Sequence, residues 1–145
     1  MSFSSDYPEQ SEEGFVPDSF SDKKRNEQEE NPVDLDEAVR EFGDLAFVEE
    51  LMGKLRDDID GRLSKIHDAL ESGNFDILAR EAHAIKGGAM TLEAAPLAAA
   101  AKALEQAGDG KCRNDAVSAF EKLQAEVRRF RDFIASRNSA KGNGS

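Results

Sequence analysis

The chain is poor in the residues that cross-link, stiffen or stack a small protein. Its 145 residues include one cysteine, no tryptophan, one tyrosine and four prolines. With Cys112 alone, an intramolecular disulfide is excluded. No apolar run approaches the roughly 18 residues that a spanning helix needs, and no secretory h-region is evident. A reducing cytoplasm is therefore the expected location. Positive charge is also scarce, since 19 Lys and Arg against 30 Asp and Glu leave a net charge of -11. Such a balance repels nucleic acid and anionic membranes at long range. There is no glycine-rich nucleotide loop and no room for an ATP-binding kinase domain. The two histidines, His67 and His83, lie far from each other and from Cys112 without paired spacing, so no metal centre is expected. Period-two alternation is absent too, which leaves an all-helical fold.

What is present divides the chain by composition. Residues 1–32 are rich in Ser, Glu, Asp and Gln, and the stretch before Pro32 holds nine acidic against three basic residues. Phe3, Phe15, Val16 and Phe20 are scattered through it without a period. Too little apolar surface is available there to offset the entropy of ordering, so a disordered acidic arm is expected. Beyond it, Asp34 can cap a short helix ending at Gly43, in which Leu35, Ala38, Val39 and Phe42 share a face. A long helix from about Asp44 to Glu71 has Phe47, Leu51, Leu55, Ile59, Ile66 and Leu70 as its apolar stripe and Gly73 as its stop. A third runs from about Phe75 to Leu92. A fourth, from about Ala94 to Ala107, tolerates Pro96 in its first turn and is closed by Gly108 and Gly110. The last, about Asn114 to Arg137, turns Val117, Phe120, Leu123, Val127, Phe130 and Ile134 inward. Residues 138–145 read as a flexible tail. Short connections between long amphipathic helices make neighbours antiparallel, giving an up-down four-helix bundle with a short leading helix over residues 33–137.

The third helix carries the chemistry. Phe75, Leu78, Ala82, Ile85, Ala89 and Leu92 define its buried stripe. At about 100° per residue, His83 falls roughly 120° from the centre of that stripe, beside Asp76, Arg80 and Gly87. The imidazole is expected to face solvent. Lys86, three residues on, can bring an ammonium over it. Gly87 and Gly88 each cost roughly 1 kcal/mol relative to alanine inside a helix, so bare backbone is needed there. Ala79, Arg80, Gly87, Gly88 and Met90 are candidate contacts for a partner approaching the ring. His67 is the contrast, a histidine without a Lys-Gly sequel at the edge of the second helix. An exposed imidazole, a nearby cation and a cleared approach suit a phosphoryl group brought by another protein.

These residues resemble the histidine-containing phosphotransfer (HPt) domain. The likeness runs through Val33-Asp34-Leu35, Phe42-Gly43-Asp44, the His83-x-x-Lys86-Gly87 core, Leu97 and Leu104-Glu105, over about residues 33–137. The resemblance implies a bundle that accepts a phosphoryl group on His83 from the aspartate of one receiver domain and passes it to another, with Lys86 stabilising the phosphoryl oxygens. It implies receiver domains of hybrid histidine kinases and response regulators as partners, and Mg²⁺ in the receiver rather than in this chain. No nucleic acid or membrane partner is implied, and a monomer is expected. Glu105 stands where some relatives place a polar residue near the histidine, and it favours the tautomer that presents the reacting nitrogen. Two positions depart from the family pattern: Glu93 replaces a usual glycine, and Gly88 a usual Ser or Ala. A module that docks on signalling proteins without being phosphorylated is the alternative.

Overall fold

A computed structural model describes residues 31–144, with side chains described as far as Asn138. The acidic arm therefore lies outside the described residues apart from its last two, as does Ser145. Five helices follow in order: α1 Leu35–Phe42, α2 Leu45–Ser72, α3 Phe75–Thr91, α4 Ala95–Asp109 and α5 Arg113–Gly144. No strand occurs among the described residues, and none of their helices is long and apolar enough to cross a membrane. α3 packs against α2 and α4, α4 against α5, and α5 back against α2, while α1 leans on α2. This is the four-helix bundle with a short leading helix.

Local chemistry explains the helix ends. The Asp34 carboxylate accepts from the Glu37 N–H at 3.1 Å, Asp44 from Ala46 at 3.3 Å and the Asn74 amide oxygen from Ile77 at 3.2 Å. Each satisfies a donor that a first helical turn leaves unpaired. Gly43 and Gly73 end α1 and α2 with φ of 81° and 77°, where a side chain would be strained. Pro96 sits in the first turn of α4. Met52, Ile59 and Ile66 from α2, Leu78 and Ile85 from α3, Leu97 and Leu104 from α4, and Leu123, Val127 and Phe130 from α5 fill the core. Each contributes about 1.5–3 kcal/mol by leaving water.

The structure corrects several expectations. In α2 the buried stripe begins at Val48, and Phe47 stays 43% exposed with its ring edge-on to Phe42 at 5.7 Å. In α5 Ala116 is buried while Val117 lies at the surface, because 116, 120, 123, 127, 130 and 134 keep the helical period and 117 does not. α4 continues through Gly108, which is buried inside the helix, to Asp109. The left-handed turn after it falls to Lys111, with φ of 54°, rather than to Gly110. α5 runs on past Arg137 to Gly144, because no proline or competing cap interrupts the backbone there.

Glu93, between α3 and α4, has φ of 58°. Its carbonyl accepts from the Asp34 N–H at 2.9 Å, tying the chain before α1 to this turn. Its side chain comes beside Glu37 and Glu41, with one oxygen of each within 4.8 Å of the others. A left-handed non-glycine residue costs about 1–2 kcal/mol, and the extra unfolded-state entropy of glycine returns about 0.5–1 kcal/mol of that. Glu93→Gly is therefore expected to raise stability by about 0.5–1 kcal/mol, read as a higher urea midpoint at unchanged slope. A lower midpoint would show that the turn is not strained at this position.

Candidate functional site

The site is built on the outward face of α3, where α4 comes closest. At the crossing, a Cβ on Gly108 would lie 2.8 Å from Leu78 Cδ2 and 3.1 Å from Ala79 Cβ, so the two backbones approach because one side chain is missing. One turn back along α4, Glu105 then reaches across to α3. Its Oε2 lies 2.9 Å from His83 Nδ1 and its Oε1 2.9 Å from Lys86 Nζ. One carboxylate thus ties the imidazole and the ammonium together. His83 remains 63% exposed, whereas Lys86 and Glu105 are mostly covered at 23% and 19%.

The electrostatics decide the tautomer. The hydrogen bond from Lys86, first, and that from His83 hold the Glu105 carboxyl below the usual carboxylate range, against the opposing effect of burial. An ionised carboxylate only accepts, so the ring donates its Nδ1–H and Nε2 carries the lone pair. The ring nitrogen left with a lone pair in this tautomer is the one turned away from Glu105. The Lys86 ammonium uses one of its three donors on Glu105 Oε1, leaving two for an incoming anion.

The glycines of α3 separate into two kinds. A Cβ on Gly87 would meet nothing within 4 Å, so its bare backbone leaves open space beside the ring. A Cβ on Gly88 would lie 2.7 Å from Leu55 Cδ1, so Gly88 serves the α2–α3 packing and not the approach to His83. Ala79 likewise faces Gly108 across the α3–α4 crossing. Arg80 and Met90 are exposed, Met90 at 60%, one and two turns from the ring on either side. The joint tie of Glu105 to Lys86 was not visible from spacing along one helix. Nor was Glu81, a buried charged side chain held by Arg62, whose Nη1 donates to Glu81 Oε1 at 2.8 Å while its Nε donates to Asp58 Oδ2 at 2.7 Å. That cluster pins α2 against α3 away from the ring. His67 is 60% exposed, near Asp68 and Glu71, and takes no part.

Comparison with known proteins points the same way. The Hpt domain family model matches residues 50–133. Among solved structures, a rice protein assigned as a histidine-containing phosphotransfer protein superposes with a TM-score of 0.71 at 20% identity, covering 81% of this chain and 88% of that one. Histidine-containing phosphotransfer protein B from Pseudomonas aeruginosa PAO1 superposes with a TM-score of 0.67 at 23% identity, covering 75% of this chain and 96% of that one. At these identities the likeness concerns the fold. No curated protein matches the sequence.

Two predictions follow from the geometry. Gly87→Ala should leave the bundle as stable or up to about 1 kcal/mol more so, whereas Gly108→Ala should cost about 1–3 kcal/mol through overpacking on Ala79. Equal urea midpoints for the two variants would contradict the close crossing. Glu105→Gln should lose about 1 kcal/mol or less at neutral pH. Because the folded-state carboxyl titrates below its unfolded value, that contribution is present above the ordinary carboxylate range and disappears as pH falls through the depressed value. Wild-type and Glu105→Gln stabilities should therefore converge in acid, and a gap that persists there would remove ionised Glu105 as its source.

Proposed function

The chain belongs to the Hpt domain family, whose members are phosphotransfer intermediates in phosphorelays, and we propose that His83 is its phosphoacceptor. In this reading a receiver domain of a hybrid kinase brings an aspartyl phosphate to His83, and a response-regulator receiver later removes it. The observation that carries the proposal is the exposed ring, held through Nδ1 by Glu105 so that Nε2 faces outward with its lone pair. Nε2 attacks phosphorus, the Nε2–P bond forms, and the acyl P–O bond breaks with its electron pair leaving on the aspartate carboxylate. No base is required, because the attacking nitrogen carries no proton.

The transferring group spreads charge over its equatorial oxygens, so the task is positioning and electrostatic stabilisation. Lys86 supplies a cation with donors to spare. The carboxylate in contact with the ring, Glu105, is already engaged by Lys86, so this face has no ligand set suited to Mg²⁺. The divalent ion belongs to the receiver. Gly87 leaves the approach clear, and exposed Met90 and Arg80 flank it as contacts for the receiver. In this reading the protein works as a monomer in the cytoplasm.

The test is to offer phosphorylated receiver domains with Mg²⁺ and assay acid-labile, base-stable phosphate. Wild type should take label and His83→Gln, folded by circular dichroism, should take none. Lys86→Ala should slow transfer by about tenfold to a hundredfold, as expected for loss of one charge-stabilising contact. Gly87→Tyr should cut transfer at least as much while keeping its helicity. Label on His83→Gln equal to wild type would move the acceptor elsewhere, and an unlabelled wild type from every donor would leave a docking module.

A further inference from the structure

We propose that Arg62 and Glu81 are positioning residues for transfer at His83, an ion pair that sets the rotation of α3 so that the ring meets Glu105 with Nε2 outward; this rests on His83 being the phosphoacceptor. Among the described residues, Glu81 is the charged residue that the fold buries, at 8% exposed. Arg62 of α2 donates to it from Nη1 at 2.8 Å, and to Asp58, one turn back on α2, from Nε at 2.7 Å. The two acids engage separate donors of one rigid guanidinium, so its plane is fixed from its own helix while it grips the next.

Stability alone does not account for the pair. Taking a carboxylate and a guanidinium out of water costs about as much as their attraction returns, and an apolar pair of similar size often holds as well or better. What a buried ion pair supplies is direction and register. The edge of α3 that faces α2 has need of both. Gly88 lies there against Leu55, and Ala84, three residues after Glu81 and four before Gly88, falls on the same edge. Between Glu81 and Gly88 that edge therefore carries a methyl group and then bare backbone, which give a neighbouring helix no ridge to lock into. Leu78 and Ile85 turn the right face of α3 inward, but apolar contacts are non-directional and leave a helix room to roll by some degrees. Arg62 and Glu81 remove that freedom.

The consequence falls on the ring because Glu81 and His83, two residues apart, stand about 200° from each other around the helix. They are opposite ends of one lever through the α3 axis. A side chain reaching about 6 Å from that axis moves about 1.5 Å when the helix rolls by about 15°. Such a displacement takes the 2.9 Å contact between His83 Nδ1 and Glu105 Oε2 beyond hydrogen-bonding range. With Arg62 gripping Glu81 on the α2 side and Glu105 meeting His83 on the α4 side, α3 is held from both neighbours. Without the first grip, the second becomes one conformation among several, and the ring presents both nitrogens in turn.

The experiment replaces the pair by apolar residues in the full chain, Arg62→Met together with Glu81→Leu, and phosphorylates it and wild type with phosphoramidate. Three quantities are read: the urea midpoint, the labelling rate, and the ring nitrogen that carries the phosphate, from ³¹P and ¹⁵N shifts. Wild type should carry label on Nε2 alone. The apolar pair should keep or raise the midpoint, yet label about tenfold more slowly, as a misplaced reacting group does, and divide the label between Nδ1 and Nε2. An apolar pair that labels as wild type does, or that is slowed with Nε2 still the sole site, would overturn the inference while leaving His83 as acceptor. If the apolar pair does not fold, Asp58→Ala carries the test, since it frees the guanidinium by a change at the surface. Label reaching Nδ1 in that variant supports the role, and label on Nε2 alone overturns it. A wild type that takes no label from phosphoramidate able to label free histidine would remove the acceptor assignment and the inference together.

Discussion

The closeness of α4 to α3 is the constraint on which the His83 face depends. Gly108 and Ala79 meet at the crossing, and nothing larger than a hydrogen fits on the Gly108 side. Only because the axes approach there does Glu105, three residues earlier on α4, reach both His83 and Lys86 with a short side chain. Moving the helices apart by the width of a methyl group would stretch two 2.9 Å contacts beyond hydrogen-bonding range. The core supports this spacing from below: Leu78, Ile85 and Leu104 are fully buried beneath the site and fix the helices in rotation as well as in separation.

The helices that carry the site are intrinsically compromised by glycine, and each glycine answers to a different demand. Gly88 lets Leu55 of α2 pack against the α3 backbone, and Gly108 lets Ala79 do so against α4. Both are packing solutions, in which the lost helix propensity of about 1 kcal/mol is offset by closer contact of the surrounding apolar atoms. Gly87 has no such return, since its missing side chain would stand in open space next to the ring. The proposed approach of a receiver to His83 would account for a residue that weakens its helix and packs against nothing. Glu93 is the converse case. It accepts left-handed strain and a crowd of carboxylates at the end of the bundle distant from the α3–α4 crossing, where nothing in the structure rewards the choice.

Period and capping chemistry made most of the fold legible. The α3 stripe, the three side-chain caps and the αL glycines at 43 and 73 all rest on interactions within a few residues. Where size competed with period the sequence misled. Phe47 and Val117 look more apolar than Val48 and Ala116, yet helical phase puts the smaller residues inside. The outward position of His83 followed from angle alone. The division between Gly87 and Gly88 did not, because it depends on which residue of α2 stands opposite, and a single sequence does not reveal the register of two helices. The Lys86–Glu105 contact was hidden for the same reason. Spacing places Lys86 near His83 along one helix, while the group that engages both comes from another.

Sharing one carboxylate between a ring and an ammonium also sets the charge of the site. Lys86 and Glu105 cancel, so an incoming phosphoryl group would meet an ion pair rather than a lone cation. An amide in place of Glu105 would leave the cation uncompensated and bind the phosphoryl group more tightly. Tight binding of the ground state does not speed a transfer, because only interactions that strengthen towards the transition state do so. In the proposed transfer the Glu105 carboxylate would answer the positive charge that grows on the imidazole as the Nε2–P bond forms, and Lys86 the negative charge spread over the oxygens. Each half of the ion pair would thus face the half of the proposed reaction that develops the opposite charge, which suits transient holding of a phosphoryl group.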